Sequence, residues 1–139
     1  MIPDKVFKNL EHVYKDYTKY SNGQELEQGY KPDCVLKKNN QFVILESENN
    51  SSRKMYIGGM IKAAHFLQNE KFGILIYVIK HRNNTKPISI ANHLRKYFEW
   101  IKDKTNLQEI YVIDTDNYFT NDKVLALDCE DFNLNSFKV

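Results

Sequence analysis

The sequence predicts an α/β fold, a three-layer-like sandwich in which a central mixed β-sheet is flanked by helices. FGILIYVI, Phe72 to Ile79, is an unbroken apolar run of strand length, as expected of a central strand covered on both faces. Segments with apolar residues at helical spacing lie before and after it. CVLKK and QFVILESE are two runs of strand formers joined by the turn pair Asn39-Asn40. A chain of 139 residues, 42% of them hydrophobic, buries one core, so a single domain spanning residues 1–139 is expected.

The elements follow in order. Val6, Leu10, Val13, Tyr17 and Tyr20 form one apolar stripe at helical spacing and predict an opening helix. Ser21-Asn22-Gly23 ends it, since Asn and Gly tolerate the left-handed conformation at a helix terminus. A short strand is expected over Glu25 to Tyr30, followed by the hairpin. Asn49-Asn50-Ser51-Ser52 then offers N-caps for a second helix reaching about Gln68. Within it Ile57, Met60, Ile61, Ala64 and Leu67 keep the helical period, while Gly58-Gly59 points to a close approach of another backbone. After the Phe72–Ile79 strand, Pro87, Ala91, Leu94, Phe98 and Ile101 mark a third helix. Two late strands are expected, Glu109 to Ile113 and Val124 to Leu127.

Composition excludes several classes. No apolar run approaches the roughly 18 residues of a membrane span, and MIPDKVFKNL is no signal peptide, so a soluble cytoplasmic protein is expected. Cys34 and Cys129 are too few and too far apart for a disulfide framework or thiolate metal site. His12, His65, His81 and His93 show no HExxH spacing, and neither GK[ST] nor GxSxG is present. Twenty basic residues against 18 acidic ones leave a net charge of only +2. Their distribution is uneven. Lys80 to Lys104 holds seven basic and two acidic residues, whereas Asp114 to Asp131 holds six acidic residues and Lys123. Such asymmetry orients a polyanion toward one part of a surface, or simply makes two solvated faces.

The hairpin gathers carboxylates. With Asn39-Asn40 as a two-residue type I′ turn, Lys38 faces Gln41 and Asp33 faces Glu46, while Glu48 shares the face of Glu46. Opposed side chains in an antiparallel pair have Cβ atoms about 4.5–5.5 Å apart, where like charges repel. Such a group calls for a cation, and Mg²⁺ or Mn²⁺ suits hard carboxylate ligands and leaves waters to meet phosphate oxygens. Alternatively the carboxylates are solubilising, with Lys31 pairing to Glu48.

Pro32-Asp33, twelve intervening residues, then Glu46-Ser47-Glu48 on an apolar strand followed by an amphipathic helix, resembles the PD-(D/E)xK nuclease superfamily of restriction endonucleases, resolvases and repair exonucleases. The family's α-β-β-β-α-β core corresponds in order to residues about 4–79, with the helix and strands of 86–128 added. The resemblance implies a restriction-endonuclease-like core and metal-dependent hydrolysis of DNA phosphodiesters. Asp33 and Glu46 would be the metal-binding acids. Glu48 stands where most of the family has lysine, as in the minority carrying ExE, and would act as general base or third ligand. Lys54, on the next helix, would be a displaced catalytic lysine, and Glu11, on the first helix, a further metal-site acid. Either is otherwise an ordinary surface charge. Few residues remain for a separate recognition domain, so a homodimer or a subunit of a larger complex is expected. The third helix brings Arg95, Lys96 and Lys102 for phosphates, or its apolar stripe for a partner copy. A catalytically inactive module of the same fold, binding nucleic acid or protein, is the competing expectation.

Overall fold

The computed structural model describes residues 2–139. In chain order come α1 (Asp4–Asn9), β1 (Thr18–Ser21), β2 (Cys34–Lys38), β3 (Gln41–Glu48), α2 (Arg53–Phe66), β4 (Phe72–Ile79) and α3 (Pro87–Ile101). A short 3-10 turn over Lys102–Lys104 extends α3, and then follow β5 (Leu107–Asp114), α4 (Thr115–Tyr118), β6 (Phe119–Thr120), β7 (Lys123–Val124), α5 (Glu130–Asn135) and β8 (Ser136–Lys138). Six strands form one sheet in the order β1-β2-β3-β4-β5-β8. β1, β2 and β3 pair antiparallel, β3, β4 and β5 pair parallel, and β8 returns antiparallel on β5, so the sheet is mixed.

β4 sits between two parallel neighbours, and its residues Gly73 to Ile79 are buried. Because strand side chains alternate, its apolar run feeds both layers. Leu75, Tyr77 and Ile79 join Met60 and Ala63 of α2 and Leu94 and Phe98 of α3 in one cluster. Ile74, Ile76 and Val78 join Phe7 of α1, Tyr118 of α4 and Phe132 of α5 in the other. The expected α/β class with a helix-flanked mixed sheet is therefore observed.

The hairpin has the expected register, with Lys38 opposite Gln41 and Cys34 opposite Leu45. Its turn differs: Asn39 has φ of 54° but Asn40 is not at positive φ, whereas type I′ needs both. Loop length, which remains two residues, is what fixes the register.

The opening helix is shorter than its stripe suggests. It ends at Asn9, Leu10 is already extended, and Lys15 takes a positive φ of 48°. Val6, Val13 and Tyr20 are exposed rather than core. Thr18 to Ser21 pairs instead with β2, where Tyr20 packs edge-on against Phe42 and Lys37 lies over the Tyr20 ring. Tertiary pairing has overridden a helical period built from Val and Tyr, residues equally suited to strands. Glu25 to Tyr30 is not a strand but a tight loop, with Leu26 N–H donating to Tyr30 O, Tyr30 N–H donating to Glu27 O, and Gly29 at φ +83°. The expected strand over Val124 to Leu127 reduces to Lys123–Val124, paired with β6 across Asn121-Asp122, both at positive φ. Beyond it Leu127 is a buried turn residue. Cys34 is buried and Cys129 partly so, and both are free thiols.

Candidate active site

The parallel strands β3 and β4 end at the same side of the sheet, where β2 begins. Ligand sites in sheets of this kind form outside the carboxyl ends of parallel strands. Pro32 precedes Asp33 there. One step beyond the Cys34–Leu45 pair, Asp33 N–H donates to Glu46 Oε1 at 3.1 Å, and Ser47 N–H donates to Asp33 Oδ2 at 2.8 Å. The two carboxylates thus close the end of the ladder in place of backbone partners. Glu48 follows two residues on, and its Oε1 accepts Asn50 N–H at 2.9 Å. Asn50 in turn accepts Ser52 N–H on its Oδ1 and the Tyr56 hydroxyl on its backbone oxygen, which folds the β3–α2 connection over the site.

These groups line an open polar cleft of about 500 Å³, together with Asp4, Lys31 and Asn49. A second lobe of about 240 Å³ shares Lys31, Glu46 and Glu48 with it, and its far wall is Tyr30, Lys54, Gly58, Gly59 and Lys62. One side of the combined cleft is acidic and the other carries lysines. Gly59 lets α2 lie close to β4: a Cβ there would fall 2.2 Å from the Tyr77 hydroxyl, which donates to Tyr56 O at 2.8 Å.

The electrostatics are strained. Burial, reinforced by the charge of Asp33, pushes the Glu46 carboxyl up to about 8, although the Asp33 N–H and Lys62 pull the other way. Burial also raises Asp33, against the opposing hydrogen bond from Ser47, with Asp4 and Glu48 adding repulsion. Ser47 Oγ and Asn49 Oδ1 on the cleft wall, and the Tyr30 hydroxyl beneath the second lobe, are buried without hydrogen-bond partners. Buried polar groups are ordinarily satisfied, so these three atoms are free to take a polar ligand or water at the cleft.

The donor set fits a hard divalent cation. It consists of carboxylate, amide and hydroxyl oxygens with no imidazole or thiolate, which suits Mg²⁺ or Mn²⁺ rather than zinc. Among the described residues no three His, Cys, Asp or Glu side chains are already gathered to hold an ion. Two carboxylates with water completing the shell are what Mg²⁺ commonly takes.

Of the residues singled out from sequence, Asp33, Glu46 and Glu48 come together in one cleft and Lys54 lines the adjoining lobe. Lys31 stands between them on both walls and makes no ion pair with Glu48. Glu11 is elsewhere. It follows α1 rather than lying on it, is exposed, and borders a different depression with Leu10, Asp122 and Lys123. The acid that the first helix brings to the cleft is Asp4, in its first turn. An acid directly after a proline at a helix start was the available signal. Ser47, Asn49 and Tyr30 carried none, because only the folded backbone reveals that their polar atoms lack partners. Among the described residues no helix is long and apolar enough to cross a membrane. No family model, curated protein or solved structure matches the chain.

Proposed function

We propose that this chain is a metal-dependent nuclease hydrolysing phosphodiester bonds in DNA. The observation that carries the reading is the interlocked pair Asp33 and Glu46 at the carboxyl end of the parallel strands, its Glu46 carboxyl pushed up to about 8 by burial and by the charge of Asp33. Asp33 and Glu46 would hold Mg²⁺ or Mn²⁺. Bound there, the ion would lower the pKa of a coordinated water and neutralise charge on the phosphate. Asp33 accepts Ser47 N–H at the strand end, and its own N–H donates to Glu46 Oε1, which fixes where Glu46 points. Glu48, on the cleft wall, is the group to take the proton from the attacking water. Lys54 and Lys62, on the opposite lobe, orient the substrate phosphate.

One specific observation favours a second reading, a nuclease-fold module that binds nucleic acid or protein without cutting. Glu48 stands where the resembled family usually carries lysine, and its carboxylate is engaged by Asn50 N–H.

The test is cleavage of circular, linear, single-stranded and branched DNA with Mg²⁺, Mn²⁺ or EDTA, comparing wild type with Asp33→Ala. Metal-dependent cutting that falls at least about 100-fold in the variant is expected. Cutting unchanged in Asp33→Ala would remove the cleft from the chemistry. No cutting of any substrate, with no metal-induced rise in Tm, would leave the non-catalytic reading.

A further inference from the structure

α3 carries a second feature away from the carboxylate cleft. Its buried face is Pro87, Ile90, Ala91, Leu94, Phe98 and Ile101. Beside that face His93, Tyr97, Trp100 and Lys104 follow one another at helical spacing. Trp100 is 65% exposed and Tyr97 37% exposed. Each ring has an ammonium group over it: Lys96 Nζ lies 5.1 Å from the Tyr97 centroid and Lys104 Nζ lies 5.4 Å from that of Trp100.

Of the neighbouring cations, Arg95 donates to Lys138 O and to Asn92 Oδ1, Lys102 of the 3-10 turn pairs with Glu99, and Lys104 Nζ donates to Trp100 O at 2.9 Å. Neither Lys96 nor Lys104 makes an ion pair among the described residues. The stripe therefore alternates exposed aromatic faces with unneutralised positive charge, within a segment holding seven basic residues and two acidic ones.

We infer that this stripe is a platform for single-stranded nucleic acid. Bases stack on Trp100 and Tyr97, and Lys96 and Lys104 turn to the flanking phosphates. Stacking on a protein ring needs a base whose face is free, which single strands offer and intact duplexes do not. The charge argues against self-association through the same patch. In a two-fold dimer the patch would meet its own copy and bring Lys96 and Lys104 against like charges. The rise of α3 from Pro87, just past the loop that follows β4, to Trp100 is about 20 Å along the axis. The platform is thus separate from the carboxylates, and it needs neither metal nor cleavage.

Trp100 is the single tryptophan of the chain, so its emission reports on this surface directly. Oligothymidylate titrated into wild type in EDTA is expected to quench that emission saturably, with affinity falling as salt rises. By anisotropy of a labelled oligothymidylate, Trp100→Ala and Tyr97→Ala each weaken binding about fivefold or more, and Trp100→Phe recovers most of the loss. Lys96→Gln with Lys104→Gln lowers the salt slope by about 1.4. The titration in EDTA reads the platform without metal or cleavage, so a failure of the nuclease reading leaves this result distinguishable. The inference is overturned by an absence of quenching, by unchanged affinity in a folded Trp100→Ala protein, or by sedimentation showing a dimer that Trp100→Ala dissolves.

Discussion

Glu46 is a carboxylate held against its preference for water. Its folded-state carboxyl titrates at about 8 and the unfolded one at the ordinary 4.5, mainly through burial and then through Asp33. A raised carboxyl binds more protons in the folded state across that window. Its stabilising effect is therefore complete below about 4.5 and is lost as pH rises through 8, by an amount on the order of 5 kcal/mol. Glu46→Gln is expected to raise Tm in EDTA at pH 8 relative to wild type, with the gain vanishing near pH 4.5. In wild type, Mg²⁺ or Mn²⁺ is expected to raise Tm more strongly as pH climbs toward 8, because the ion must displace the Glu46 proton, and the variant loses this response. His12 works in the opposite sense. Phe7 O can only accept, so Nε2 carries the proton at 2.8 Å, and Nδ1 accepts from the Tyr118 hydroxyl at 2.6 Å. Burial lowers this imidazole to about 4. Its contribution is present above the unfolded 6.5 and is lost as pH falls toward 4, so His12→Gln should flatten the acid limb of Tm against pH. The carboxylate group at the hairpin end was legible from alternation and turn length. The His12–Tyr118 pairing was not, because 106 residues separate its members.

At the scale of elements, the two adjacent glycines of α2 separate packing from propensity. A Cβ on Gly59 would meet the Tyr77 hydroxyl and displace its hydrogen bond to Tyr56 O, whereas nothing lies within 4 Å of a Cβ on Gly58. Gly59→Ala is expected to lower unfolding free energy by roughly 1–3 kcal/mol, and Gly58→Ala to raise it by up to about 1 kcal/mol. Urea denaturation of both variants checks the contrast, and equal effects would mean that α2 does not press on β4 at this point. The sequence predicts a backbone approaching the pair; the structure instead brings a side chain, the Tyr77 hydroxyl, to Gly59 alone. Helix periodicity placed the buried face of α3 correctly, whereas in α2 it located the helix but not its face: Met60, Ala64 and Leu67 are buried, Ile61 is exposed, and Tyr56, Ala63 and Phe66 complete the packed side. It misjudged the first segment, where Val and Tyr suit either period and only the waiting edge of β2 decides for a strand.

At the scale of the whole molecule, β8 closes one edge of the sheet. It pairs with Tyr111 to Ile113 of β5, Val139 N–H donates to Ile110 O, and Arg95 of α3 holds Lys138 O. Three residues thus cover what would otherwise be an open strand edge, a template for association between chains. Truncation after Asn135 is expected to lower Tm and to produce light scattering that grows with protein concentration. A truncated chain as stable and monodisperse as the full one would show that β8 guards nothing. The opposite edge, β1, presents Thr18, Lys19 and Tyr20 exposed, and a lysine on an edge strand discourages pairing with another chain.

By itself the sequence determined the α/β class, the central Phe72–Ile79 strand, the hairpin register and the three carboxylates that the register brings together. These rest on local periods and a two-residue turn, which chain chemistry fixes without reference to distant residues. Only the tertiary structure decided that Asp4 rather than Glu11 joins the acids and that Lys54 and Lys62 face them across a second lobe. It also decided that β1 and β8 are strands at all. Those outcomes depend on which surfaces meet once the sheet has formed, and backbone pairing and burial between remote segments outweigh the weak local preferences of four or three residues.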